Sequence, residues 1–138
     1  MRSVAVGIVL VISVVIAFAQ QKNAEPASEK NRERGRYLTE NVAMCIQCHT
    51  PREATGSMIR LKAFHGAPIP VGRPSQVDTW AEFAPRIAGL PQYTEEQIVR
   101  LLTTGIGREG KLLRSPMPTF KMTRQDAEDV AAYLKSLE

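Results

Sequence analysis

The chain has 138 residues, with 18 Lys and Arg against 14 Asp and Glu and a formal net charge of +4. That length suits one ordinary domain and leaves little room for two, and the charge is too mild for a nucleic-acid binder. The 43% hydrophobic share is inflated by the first twenty residues, and only 6% of the chain is aromatic. The remainder is a small polar globule that would gain from an added source of buried apolar surface.

The N-terminus carries Arg2, fifteen mostly apolar residues from Val4 to Phe18, and the small-residue pattern Ala17-Phe18-Ala19. This is the layout of a secretory signal peptide over residues 1–19, cleaved after Ala19. Spanning helices usually need about 20 apolar residues, so an uncleaved inner-membrane anchor is the alternative. No cysteine lies near the cleavage point, which argues against lipid attachment. Residues 20–28 read as a polar linker and 29–138 as the functional domain.

A helix is expected from Ser28, a candidate N-cap, with Tyr37, Leu38, Val42 and Ile46 near helical spacing. Gly35 inside it costs about 1 kcal/mol against alanine, which a close helix crossing would explain. The helix leads into "CIQCH", which holds the only two cysteines, Cys45 and Cys48, and one of the two histidines, His49. A disulfide across two residues would close too short a loop to staple anything distant. Zinc would need Cys45, Cys48, His49 and His65, but adjacent ligands suit one tetrahedral centre poorly. A redox dithiol of the thioredoxin type would follow a strand and precede a helix, the reverse of the order here. The reading that uses all three residues is covalent attachment of one haem, with both thiols joined to its vinyl groups and His49 set as an axial ligand. An apolar macrocycle would also complete the weak core.

The stretch from Thr50 to Pro91 is rich in Gly and Pro and reads as a long loop, with a short helix expected around Trp80 to Phe83. The Trp80 indole N–H needs an acceptor if buried, either a haem propionate or a backbone carbonyl, and Arg86 is a comparable propionate candidate. His65 reads as an inert, half-exposed loop residue rather than a sixth ligand. Next comes a helix with Thr94 and Gln97 as a capping box, Glu95 and Glu96 at its positive end and Gly105 as its stop. In the last helix Thr123 and Asp126 resemble a capping box, and Ala127, Val130, Ala131, Leu134 and Leu137 trace one apolar stripe. Between these two helices, "RSPMPTF" places Met117 between Pro116 and Pro118. Such flanking prolines stiffen the backbone. A thioether is a soft neutral ligand that favours ferrous iron and raises the reduction potential.

An exported all-α domain with Cys-x-x-Cys-His near the end of its first helix and a methionine loop before its last helix resembles the class I cytochromes c. The likeness runs from about Gly35 to the C-terminus. Its segments "GRYLTENVAMCIQCHT", "GLPQYTEEQIVRLLTTGIGREGKLLRSPMP" and "DAEDVAAYLKSL" are most similar to the monohaem modules that serve bacterial dehydrogenases. The resemblance implies three main helices plus long loops wrapped around one covalent haem c, with Cys45 and Cys48 attached, His49 proximal and Met117 distal. Met122 and His65 are the next candidates for the distal position, and Met58 follows them. It also implies a proline carbonyl, from Pro68 or Pro70, accepting a hydrogen bond from His49.

The expected function is one-electron transfer between a dehydrogenase or respiratory complex and a downstream acceptor, in the periplasm. The protein would shuttle freely or serve as a dedicated dehydrogenase subunit. A haem sensor or small haem enzyme would need an open sixth position, against which the Pro-Met-Pro loop argues. Arg108, Lys111, Arg114, Lys121 and Arg124, with Glu109 the one acid among them, would steer an acidic redox partner toward the ligand loop. Contact with a membrane is expected only if the N-terminal segment is retained.

Overall fold

A computed structural model describes residues 25–137. The expected signal segment, and residues 20–24 of the expected linker, lie outside the described residues. The chain divides into two compact units, Met1–Asn31 and Arg32–Glu138. Of the first, the described residues form only the start of a helix. The second carries everything that follows.

The elements run α1 (Glu25–Tyr37), a π-helical turn (Leu38–Val42), α2 (Ile46–His49), a 3-10 turn (Arg60–Lys62), β1 (Ala67–Pro68), β2 (Phe83–Ala84), α3 (Glu95–Thr104) and α4 (Arg124–Lys135). The regular structure among the described residues is thus mostly helical, with long connections, the expected class. Helix α1 starts at Glu25, so Ser28 lies inside it rather than at its N-cap.

The expected continuous helix into the cysteines does not form. The Ala43 N–H reaches the Leu38 carbonyl at 2.8 Å and the Cys45 N–H reaches Thr39 at 2.9 Å, both longer steps than an α-turn. Met44 then takes a φ of 53°, which ends the run before a new helical turn begins. This change of winding redistributes the expected apolar face. Leu38 and Ile46 are buried, whereas Tyr37 and Val42 are exposed.

Gly35 is where α1 meets α4. A Cβ built there would lie 1.9 Å from the Asp129 carbonyl oxygen and 2.9 Å from the Tyr133 Cβ, so the two backbones touch, as the cost of a helical glycine suggested. Polar contacts secure the crossing. Arg34 binds Asp126, and its Nε lies 3.1 Å from Asp129. The Tyr133 hydroxyl donates to Glu40 at 2.7 Å, and the Thr39 hydroxyl donates to the Gly35 carbonyl at 2.6 Å. Asp129 is almost fully buried, and Arg34 with the Gln125 amide at 2.9 Å keeps its charge partnered, which a buried carboxylate requires. Hydrogen bonding with Thr123, aided by Arg34, holds the Asp126 carboxyl below its usual range. Burial first, then Glu40, pushes the Tyr133 phenol up.

Helix α3 begins and ends where its residues dictate. The Thr94 hydroxyl accepts from the Gln97 N–H at 3.2 Å, and the Thr94 N–H donates back to the Gln97 side chain at 3.0 Å. Gly105 closes the helix with its N–H on Leu101 at 2.8 Å. Thr123 caps α4 through the Asp126 N–H at 3.2 Å. Ile98, Leu101 and Leu102 of α3 share one core with Ala127, Val130 and Leu134 of α4, and Leu137 is half-buried against it. Phe64, wholly buried, stands edge-on to Tyr133 at 6.1 Å between ring centres.

The connection from Thr50 to Pro91 is long and mostly irregular, as expected, but it holds no helix at Trp80 to Phe83. There the backbone runs from a bridge at Trp80 through a bend at Glu82 into β2. Trp80 bridges to Ser115 in parallel, and Phe83–Ala84 pairs antiparallel with Ala67–Pro68. Pro85 disfavours the helical region for Ala84, and Ala81 and Glu82 find backbone partners in Ser115 and Ile69 instead. No helix among the described residues is long and apolar enough to cross a membrane.

Candidate functional site

Cys45 opens the turn that continues through α2. The Cys48 and His49 N–H groups bond the Cys45 carbonyl at 3.3 and 3.0 Å, so the two thiols stand three residues apart on one helical face. Both are free and partly buried. Burial is the main reason the Cys45 thiol is pushed up to about 11. A redox dithiol depends on a lowered thiol pKa, so the shift runs against that chemistry. Among the described residues no three His, Cys, Asp or Glu side chains group to hold a metal ion, so the zinc reading has no coordination set.

His49 is 5% exposed, and its Nδ1 lies 2.7 Å from the Pro85 carbonyl oxygen. A carbonyl only accepts, so the proton sits on Nδ1. Burial holds the ring below its ordinary pKa, although the Pro85 hydrogen bond opposes it. At neutral pH this favours the neutral ring, with its lone pair on Nε2. That nitrogen makes no hydrogen bond among the described residues and is not sealed from solvent.

The acceptor is Pro85, which corrects the expectation of Pro68 or Pro70. Pro68 lies in β1 opposite Phe83, and the register Ala67 to Ala84 carries the next residue of the other strand to the imidazole. Gly66 closes the arrangement. Its N–H donates to the His49 carbonyl at 2.8 Å, its φ is 86°, and a Cβ there would meet Arg86 N at 2.8 Å and the Pro85 carbonyl carbon at 3.0 Å.

The Met117 segment is tied at both ends. Leu113 bonds Gly105 at 3.3 Å, the Ala81 N–H bonds Ser115 at 2.7 Å, and the Met122 N–H bonds Leu102 at 3.1 Å. The Arg114 guanidinium also donates to the Trp80 carbonyl. Met117 is half-buried against the core, but so are Met58 and Met122, so burial does not single it out. The structure thus brings Trp80, itself buried, to the Met117 segment, and puts Arg86 directly after the acceptor of His49. Arg86 is exposed, with its Nε donating to the Ala88 carbonyl at 3.1 Å. His65 is half-buried, with Nδ1 3.0 Å from the Ala63 carbonyl, a local contact that fits an inert loop residue. Sequence reasoning missed Pro85, Gly66 and the Arg114 to Trp80 bond. Each joins segments distant in sequence or depends on such a pairing.

Paired thiols, a neutral carbonyl-anchored imidazole and this helical frame occur together over a chain whose residues 32–138 match the sequence profile of the family described as Cytochrome c. The chain belongs to the cytochrome c family. It is a class I c-type cytochrome, an electron-transfer protein carrying covalent haem c. The cytochrome is 29% identical over 110 residues to a diheme cytochrome c-type protein of Cereibacter sphaeroides, covering 75% of this chain and 34% of that one. It is 26% identical over 132 residues to one of the subunits of nicotinate dehydrogenase from Pseudomonas putida, covering 88% of this chain and 10% of that one. The chain therefore spans about a third and a tenth of the lengths of these curated relatives.

The donor set of the cytochrome suits its prosthetic group: two free thiols on one turn and an imidazole whose free lone pair is on Nε2. The basic residues expected to form a rim are unequal. Arg114 is engaged on Trp80, Arg108 lies over the Tyr93 ring at 5.8 Å, and Arg124 pairs with Glu128 at 2.8 Å. Lys111 and Lys121 are exposed.

Proposed function

We propose that this chain is a monohaem one-electron carrier in which Cys45 and Cys48 form the two thioether links, His49 Nε2 is the proximal ligand and Met117 Sδ the distal one. The observation that carries this reading is the 2.7 Å contact of His49 Nδ1 with Pro85. It fixes the proton on Nδ1 and leaves the lone pair of Nε2 as the one that would bind the iron. When bound, the haem supplies the ferric and ferrous states. The protein keeps the proton at Nδ1 in both, and the two prolines limit movement of the Met117 backbone, so little reorganisation accompanies transfer. Trp80 and Arg86 are the residues proposed to meet the propionates.

The proposal includes export, with residues 1–19 as the signal and the haem domain in the periplasm, or on that side of the inner membrane if the segment is retained. The donor is a dehydrogenase or respiratory complex and the acceptor a downstream redox protein. Similarity to part of a dehydrogenase subunit supports a second reading, a dedicated subunit docked to one dehydrogenase.

The test is an optical spectrum of the matured protein, oxidised and reduced, with and without carbon monoxide. A low-spin reduced spectrum unmoved by carbon monoxide, with the weak far-red sulfur-to-iron band in the oxidised form, is expected. Ready carbon monoxide binding would remove Met117 from the iron and bring the sensor or enzyme reading forward. For the basic surface, the electron-transfer rate with an acidic partner should fall steeply between low and physiological salt. A flat response would show that Lys111, Lys121 and their neighbours do not steer.

A further inference from the structure

Arg114 is the only residue of the 113–122 segment that sends a charged side chain across the fold to another segment's backbone, the Trp80 carbonyl 34 residues away in sequence. Its own carbonyl accepts the Met117 N–H at 3.2 Å. One residue therefore links the Trp80 segment, through its guanidinium, to the amide of Met117. The next residue repeats the attachment in the backbone, with the Ala81 N–H on Ser115 at 2.7 Å. Beyond Ser115, the segment regains a backbone bond to the rest of the fold only at Met122, through Leu102. Met117 thus sits in a span held at its ends, and the charged tie is on the near end.

Resting on the ligation proposed above, we propose that Arg114 is a positioning residue for Met117. Its guanidinium on the Trp80 carbonyl keeps the loop in the arrangement that leaves the thioether on the iron, and so sets how readily an outside ligand displaces it. A hydrogen bond with a charged donor is among the stronger ones in a protein. The Met-on and Met-off states differ in whether the loop that Arg114 ties is in place, so losing the tie favours the open state.

The experiment titrates imidazole into the oxidised, matured protein, following loss of the far-red sulfur-to-iron band. Wild type is compared with Arg114→Ala, Arg114→Gln, Arg114→Lys and the exposed neighbour Lys111→Ala. Imidazole should bind Arg114→Ala roughly tenfold more tightly than wild type (about 1.4 kcal/mol). Arg114→Gln and Arg114→Lys, which keep a donor, should recover part of the difference, and Lys111→Ala should match wild type. A far-red band in wild type with equal imidazole affinity in Arg114→Ala overturns the role of Arg114 alone. A tighter affinity in Lys111→Ala equal to that in Arg114→Ala overturns it too, since net charge would then be the cause. Absence of the band from wild type overturns the Met117 reading and this proposal with it. Should Arg114→Ala fail to mature, Arg114→Met, which keeps the length of the side chain but has no donor, carries the same comparison with the same two outcomes.

Discussion

Gly35→Ala is expected to lose at least about 3 kcal/mol of folding stability, a large part of what a domain of this size has. Intrinsic helix propensity argues for the opposite sign, since alanine is favoured over glycine by about 1 kcal/mol inside a helix. Packing decides the outcome. The new methyl carbon would lie 1.9 Å from the Asp129 carbonyl oxygen, far inside the ~3.3–3.6 Å of even a close carbon–oxygen contact. The obstacle is helix backbone rather than the end of a flexible side chain, so α1 and α4 must separate. Separation also strains the Arg34 pairs with Asp126 and Asp129 and the Tyr133 to Glu40 hydrogen bond, and leaves the buried Asp129 carboxylate poorly partnered. The measurement is the denaturant midpoint of the matured protein, together with the yield of covalently attached haem. A variant with a midpoint raised by the propensity difference would show that the helices do not cross closely at this residue.

Gly66→Ala is the second large effect, and it can be separated into its causes. Gly56 and Gly72 each have open space where a Cβ would stand, and Gly56, with a φ of 88°, shares the left-handed backbone of Gly66. Gly72→Ala should therefore change stability by less than about 0.5 kcal/mol, and Gly56→Ala should cost about 1–2 kcal/mol from backbone conformation alone. Gly66→Ala adds contacts of 2.8 to 3.0 Å with the Arg86, Ala84 and Pro85 backbone, and should cost roughly 2–4 kcal/mol. The excess over Gly56→Ala measures how firmly the β2 strand end is held against β1. Because that strand end carries the acceptor of His49, the variant should also show faster solvent exchange of the His49 Nδ1 proton and a higher reduction potential, as the imidazole becomes a weaker donor. Equal costs at Gly56 and Gly66, with the imidazole proton unchanged, would mean that the Pro85 peptide moves freely and does not depend on Gly66.

Much of the fold was legible because it rests on short-range chemistry. A capping box joins residues three apart, so Thr94 with Gln97 announced the start of α3 without any knowledge of what it packs on. The stripe from Ala127 to Leu134 likewise declared the buried face of α4, since helical periodicity is a local property, whereas Leu137 falls beyond the end of the helix. Gly35 was legible in a different way. A costly residue inside a good helix implied a compensating contact, although nothing in the sequence said that Asp129 and Tyr133 would supply it.

Helices α3 and α4 with their caps, the paired thiols beside an imidazole and the methionine between two prolines could be read from the order of residues alone, because each is encoded within a few neighbouring positions. Three features waited on the folded chain: the break at Met44, which turned Tyr37 and Val42 outward, the non-helical course of Trp80 to Ala84, and the choice of Pro85 over Pro68 or Pro70. These depend on which strand end lies beside which helix after two long loops have closed. That outcome is a balance of loop-closure entropy against pairing between residues 34 to 36 positions apart, such as Arg114 with Trp80 and His49 with Pro85, and no local pattern of residues reports it.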